Sequence, residues 1–544
     1  MNILILGAGL MQRPAILSAK KMGYTVHVVD ADSDAVAIPC ADIFKKIDLK
    51  DKDSILKYAD FLKKSEGGLA AVFTAGTDFS SSVSYVCGKL GLNSHSFEAA
   101  VNASVKTQMR ECFEKQGIPS PKFLKASKGD VNELFVEKVC GKLSFPIVVK
   151  PVDNMGARGC RMVRSKKEFL PALKIATECS RTGFAIVEEF MDGAEFSIDA
   201  LVYKGTFTVT GFAIRHIKYE PYFIEVGHTM PAGEKDITQK MHDELISVFA
   251  LGAKSLGLSC GAAKADIKYT KNGPMIGEIA GRLSGGYMSG WTYPYASDLN
   301  LTEQALQIAC NKEPVDLVSL RKHVEYVPPE SCKSHSKPYE LYEVPCKRTS
   351  AERAWLSIPG TVKYIENITE YTDKAIFDIL PRSVVKIGSD VEFPRNNVEK
   401  CGNIIAVSNQ RDVATSAAED AVSNIFITLE PNNKKTDDYL KYSEAEYEAA
   451  FPPSAFGKLS AEEIDQLSGT IPANSKVSDE IPEVLKKSKY KNLCDWNYNT
   501  IEKTTLKFDI LRAKHPKLDA KKFWTALMRG GIQAAVYICD SETK

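Results

Sequence analysis

The run Ile3-Leu4-Ile5-Leu6, stopped by Gly7-Ala8-Gly9, constrains the fold of this chain most. A strand that is apolar at every position is buried on both faces, and a glycine turn straight after it leads into a helix over Pro14–Met22. Thr25–Val29 repeats the strand signal and ends at Asp30, and Ala70–Phe73 repeats it again. Such strands, joined by helices, predict a doubly wound parallel sheet in the first hundred residues. The segment also has no basic residues before its apolar stretch, so it reads as a buried strand and not as a signal peptide. Gly7-Ala8-Gly9-Leu10-Met11-Gln12 is a dinucleotide-type turn without its third glycine, and Asp30 stands where a ribose-binding acid would. Alone it would suggest a NAD-dependent dehydrogenase, the last of the readings because the rest of the chain does not need a dinucleotide.

The 544 residues carry 70 Lys+Arg against 69 Asp+Glu, which removes the bulk electrostatic argument for binding nucleic acid or an anionic membrane. No apolar run approaches the roughly 18–20 residues needed to cross a bilayer. The 13 cysteines are odd in number and unpaired in spacing, which predicts reduced thiols and a cytoplasmic protein. Cys332-x-x-His335 with Cys346 offers three zinc ligands but lacks the second pair that a structural site needs.

Further along, a helix carries Lys106 and Arg110 on one face, and the turn-rich Gly117–Pro121 marks a boundary. Ile147–Lys150 is an apolar strand that ends on a lysine, and Asp153–Gly159 is a glycine-containing loop. Ala185–Phe190, Glu195–Val202 and Phe207–Ala213 read as antiparallel strands, Lys240–Leu256 as an amphipathic helix, and Gly261–Tyr269 with Met275–Ala280 as a hairpin. After about residue 311 the texture becomes that of a small α+β module, and beyond Pro431 that of short polar helices.

The middle third carries a constellation suited to a nucleoside triphosphate. Lys150 would hold its ammonium at the mouth of a cleft. Gly156 and Gly159 allow backbone N–H groups near phosphate oxygens, and Arg158 adds a fixed charge. A carboxylate of Glu188, Glu189 or Glu195 could accept from an adenine amino group or ribose hydroxyls. Asp266 and Glu278 lie on the two arms of one hairpin, centred on Asn272. An odd-length loop would make them direct partners, whereas a two-residue turn would offset them. Opposed carboxylates repel unless cations lie between them, and this pair could hold Mg²⁺ through oxygen ligands. Arg282, four residues on and followed by Leu283-Ser284-Gly285-Gly286, suits a developing negative charge or a substrate carboxylate.

The runs Gly261–Asp266 and Glu278–Gly286, with Lys150-Pro151 and its glycine loop, resemble the ATP-grasp superfamily. The branch they resemble contains biotin carboxylase, the carbamoyl-phosphate synthetase large subunit and the L-amino-acid ligases. The resemblance implies an α/β and α+β multidomain chain. It would comprise a pre-ATP-grasp Rossmann-like parallel sheet (1–100), the ATP-grasp fold (101–312), a small C-terminal α+β module (313–432) and a helical C-terminal tail (433–544). It implies ATP and Mg²⁺ (or Mn²⁺) as cofactors. Lys106 and Lys150 would bind phosphates, Glu188, Glu189, Met191 and Glu195 adenine and ribose, Asp266 and Glu278 the metal, and Arg282 the acyl-phosphate chemistry. One departure is Ala280, where the family usually has an asparagine metal ligand.

Leu283-Ser284-Gly285-Gly286 after the arginine is similar to the amino-acid ligases, and Gly285 and Gly286 would then line the substrate site with Glu225 or His228 near the substrate ammonium. The resemblance implies an ATP-dependent carboxylate–amine ligase that acts through an acyl phosphate. A bicarbonate-using carboxylase is the alternative, and a non-catalytic ATP-binding regulator is the second. The expected partners are a small carboxylate and an amine, without nucleic acid or membrane, and a homodimer is left open.

Overall fold

The structure is a computed structural model, described for residues 1–367, 378–441, 451–467 and 469–542. It divides into two compact units. The first comprises Met1–Met155, Met162–His216 and His228–Ser350. The second comprises Gly156–Arg161, Ile217–Gly227 and Ala351–Lys544.

The first unit begins with β1 (Asn2–Leu6), α1 (Arg13–Lys21), β2 (Thr25–Asp30), β3 (Ile43–Lys46), α2 (Lys52–Lys64), β4 (Leu69–Phe73) and α3 (Ser80–Leu90). The strands form a parallel sheet in the order β3-β2-β1-β4. Every residue of β1 is buried, as a strand covered by helices on both faces must be. The helix α4 (Lys106–Gln116) follows, and then three antiparallel strands in the order β5-β7-β6. These are β5 (Phe123–Ser127), β6 (Ile147–Pro151) and β7 (Phe184–Glu189), with α5 (Lys166–Cys179) between the last two. Phe169, Leu173 and Ala176 of α5 are fully buried in the same core as Ile147 and Val149.

The third layer of this unit contains β8 (Ala194–Tyr203), β9 (Thr206–Lys218), α6 (Gln239–Ser255), β10 (Gly261–Thr270) and β11 (Gly273–Ala280). The strands run β11-β10-β8-β9, all antiparallel. One face is apolar: Ala265, Ile267, Ile276 and Ile279 are fully buried, and each isoleucine stabilises the fold by about 1.5–3 kcal/mol. The helix α6 covers them so closely that a Cβ on Gly252 would stand 2.5 Å from Ile276 Cδ1. The other face of these strands carries the charged residues.

The second unit has one hydrophobic core. Trp355, Ile358, Phe393 and Phe426 share it with Tyr490, Phe508, Phe523 and Trp524. The expected boundary at 432 therefore does not separate two bodies. Residues 313–350 group with the first unit, and the C-terminal helices complete the core of the 351–430 module. Polar side chains tie the two parts together. Asn497 accepts from Leu356 N and donates to Leu356 O, each at 2.9 Å, and Gln533 accepts from Ile358 N at 3.2 Å and donates to Ile427 O at 3.2 Å.

Candidate functional site

The hairpin of β10 and β11 turns on two residues, Lys271 and Asn272, because Thr270 pairs with Gly273. Regular pairing from such a turn would set Asp266 opposite Gly277 and leave Glu278 on the apolar face. A bulge prevents this: Ile267 pairs with Ile276, and Asp266 pairs with Glu278, so Gly277 is the extra residue. Glycine eases it, since an added Cβ would stand 3.0 Å from Asp266 O, closer than most Cβ contacts. Arg110 from α4 fixes the bulge by donating to Gly277 O at 2.6 Å. The two carboxylates thus face each other by a route different from the odd-length loop considered above.

Cations surround the pair. Lys106 Nζ lies 3.4 Å from Glu278, and Arg215 Nη1 lies 2.8 Å from Asp266. Lys264, two residues before Asp266, pairs with its Oδ2. Burial alone would raise the Glu278 pKa, but Lys106 and Lys264 outweigh both burial and the repulsion of Asp266, and hold it below the ordinary carboxylate value. Burial likewise disfavours the Lys106 ammonium, yet Glu278 and Asp78 keep its pKa above the usual lysine value. Two opposed, ionised oxygen donors fit Mg²⁺, a hard cation that is commonly held by one or two carboxylates. Among the described residues no group of three or more His, Cys, Asp or Glu forms a metal cluster. His335 uses its Nε2 on Gln116 O at 2.7 Å.

Lys150 closes β6 beside β7, and its Nζ lies 2.6 Å from Glu188. Arg110 Nε takes the other Glu188 oxygen at 2.8 Å. Glu188, expected to meet adenine or ribose, is 2% exposed and pairs with both cations. It holds Lys150 and Arg110 in place. Glu189 is part-exposed beside Lys122. Glu195 pairs with Arg215 at 2.6 Å and Lys268 at 3.3 Å, and Met191 O accepts from Lys268 Nζ at 3.1 Å.

Arg282 follows β11. Its Nη2 lies 2.8 Å from Asp78 Oδ1, which sits just beyond the C-terminal end of β4. Sequence reasoning missed Asp78, although ligands commonly bind beyond the carboxyl ends of parallel strands. The loop after Arg282 is pinned twice. Gly76 N donates to Leu283 O at 3.2 Å, and buried Asp199 accepts from Ser284 N at 3.0 Å and Ser284 Oγ at 2.7 Å. Burial pushes the Asp199 pKa up to about 6, although Ser284, Lys264 and Arg282 favour its charged form. Gly285 lies against Gly76, whose φ is +64°, and Gly286 has φ +60°. A cavity of about 60 Å³ borders Arg282 and is lined also by Thr74, Ser80, His95 and Leu283.

Four expected site residues belong to the second unit. Gly156, Arg158 and Gly159 group with the second unit, where Gly156 O accepts from Asn397 N at 2.8 Å. Glu225 belongs there too. It is 6% exposed with its carboxylate 3.7 Å from Lys400, which places it in a buried ion pair and not as an open ammonium receptor. His228 belongs to the first unit and is fully buried. The glycine turn after β1 is also accounted for without a dinucleotide. Asp30 accepts from Ala8 N at 2.8 Å, and the Gln12 side chain fills the space over Gly7 and Gly9.

Residues 143–290, which contain β6 to β11 and Arg282, match the model of the ATP-grasp domain. The chain thus carries an ATP-grasp domain over these residues. Mouse carnosine synthase 1 is 24% identical over 335 residues, 58% of this chain and 40% of that protein, so the chain spans two fifths of this relative's length. In fold it is similar to the L-amino acid ligase of Bacillus licheniformis (TM-score 0.63, 18% identity, 79% of this chain and 98% of the other). It is also similar to a biotin carboxylase of Campylobacter jejuni (TM-score 0.55, 17% identity, 78% and 92%). No helix among the described residues is long and apolar enough to cross a membrane.

Proposed function

We propose that this ATP-grasp enzyme is an ATP- and Mg²⁺-dependent ligase that joins a small carboxylate, such as an amino acid, to an amine. The observation that carries this reading is the placement of opposed Asp266 and Glu278 with Lys106 on one side and, linked to the same charge cluster, Arg282 beside a cavity. Lys106 and Lys150 would hold the triphosphate. A divalent ion on Asp266 and Glu278 would neutralise charge on the transferring phosphoryl group. Arg282, freed from Asp78 by the incoming acid, would bind the carboxylate that attacks the γ-phosphorus and then stabilise the oxyanion formed when the amine displaces phosphate. Asp78 and Arg282 thus form a latch whose anion a substrate carboxylate replaces.

Phosphate release from ATP, measured across amino acids, amino-acid pairs and bicarbonate, tests the proposal. Release that needs an acid together with an amine is expected, with a ligated product. Release with bicarbonate alone would instead make the protein a carboxylase, and bound ATP without release under any condition would make it a regulator. Lys150→Ala is expected to abolish ATP-dependent release, and Gly9→Ala to retain it.

A further inference from the structure

Lys264 is a cation of this site for which neither the sequence reading nor the mechanism above has a use. Its cross-strand partners are Asp199 on β8 and Ala280 on β11, so its side chain stands on the face that carries Asp266 and Glu278. The ammonium pairs with Asp266 and lies close enough to Glu278 and Asp199 to favour the charged form of each. It therefore stands among three carboxylates from three adjacent strands, with its side chain only 12% exposed. That is the position of a bound cation, filled by the protein itself.

Charge and ligand supply agree. The opposed pair brings two negative charges, and Lys264, Lys106 and Arg215, the last shared with Glu195, already stand against it. Two divalent ions would add four positive charges. A second ion also needs its own oxygens. Position 280, beside Lys264, offers only a methyl group, and Lys264 takes one Asp266 oxygen, which leaves the other, beside Arg215, for a single ion. The small Ala280 side chain leaves room for the lysine stem along the sheet.

We propose that Lys264 is a built-in monovalent cation that takes the place of a second divalent ion, so that the Asp266–Glu278 pair takes one metal ion per chain. The inference rests on the reading of that pair as a metal site.

Mn²⁺ titrated into the full-length protein with a non-hydrolysable ATP analogue, and followed by electron paramagnetic resonance, tests it without turnover. One bound Mn²⁺ per chain with the spectrum of an isolated ion is expected for the wild type and for Ala280→Asn, which adds an oxygen but keeps the lysine. Two bound ions with dipolar broadening are expected for the double variant Lys264→Ser/Ala280→Asn. Two coupled ions in the wild type would overturn the proposal and leave the metal-site reading intact, whereas no bound Mn²⁺ would overturn both. A folded double variant that still binds one ion would show that Lys264 does not exclude the second. Circular dichroism reports whether that variant folds, and the wild-type count decides the question if it does not.

Discussion

Glu188 and Asp199 are both buried carboxylates, and their neighbours give them opposite behaviour. Arg110 and Lys150 outweigh the burial of Glu188 and keep its pKa below the ordinary carboxylate value. Glu188→Gln leaves two cations facing a neutral amide. A loss of about 3–5 kcal/mol is expected in urea unfolding, with weakened ATP binding through a released Lys150. Asp199 has no partner of that strength, and its pKa rises to about 6 from an ordinary 3.8. A carboxyl group with a raised native pKa binds its proton more tightly in the folded state. Its contribution to stability therefore falls as pH rises from about 4 to 6 and is level above that range. Asp199→Asn keeps an acceptor for Ser284 without the charge. Relative to the wild type it should gain up to ~3 kcal/mol between pH 4 and pH 7, as read by denaturant unfolding at each pH. Parallel pH profiles would show that Asp199 titrates as an ordinary carboxylate. At this scale the sequence was legible where chemistry is scarce, as in a lysine ending an apolar strand or an arginine after paired acids. Asp78, Asp199 and Lys264 were not, because their roles come from neighbours up to about two hundred residues away.

The hairpin shows what an element adds. Strand alternation and the pair of carboxylates were readable, but the turn left their opposition undecided. Gly277 decides it. Ile276 and Ile279, both fully buried, are three apart and break the two-residue period of a strand, a signal of a bulge between them. Gly277→Val would crowd Asp266 O and disturb the contact with Arg110. Mn²⁺-nucleotide affinity should fall at least tenfold while stability falls by about 1–3 kcal/mol, which calorimetric titration and thermal unfolding would separate. Unchanged affinity would mean that the strand can hold Glu278 in place without the glycine.

At the scale of the whole molecule, the parallel sheet and the antiparallel layers could be read from apolar runs and their spacing. The fate of the last hundred residues could not. Phe508, Phe523 and Trp524 lie among polar helices, and no local pattern tells that they fill a core shared with Trp355 and Phe426. A chain ended at residue 432 would expose that core and orphan the backbone of Leu356 and Ile358. It should be insoluble or bind a hydrophobic dye strongly, whereas an independently folding tail would leave the shortened protein soluble and cooperative in unfolding.

The loop after Arg282 has a thermodynamic consequence. Its tie to Gly76 and its tie to Asp199 make it a strut between the loop after β4 and strand β8, the neighbour of the carboxylate hairpin. Under the proposed function, an acid that displaces Asp78 would alter the field felt by Glu278, since Arg282 acts on both. By linkage, the metal–nucleotide complex must then change the affinity for the acid by the same factor. Substrate order in this protein would follow from that reciprocity: whichever ligand arrives first sets the affinity that the second one meets.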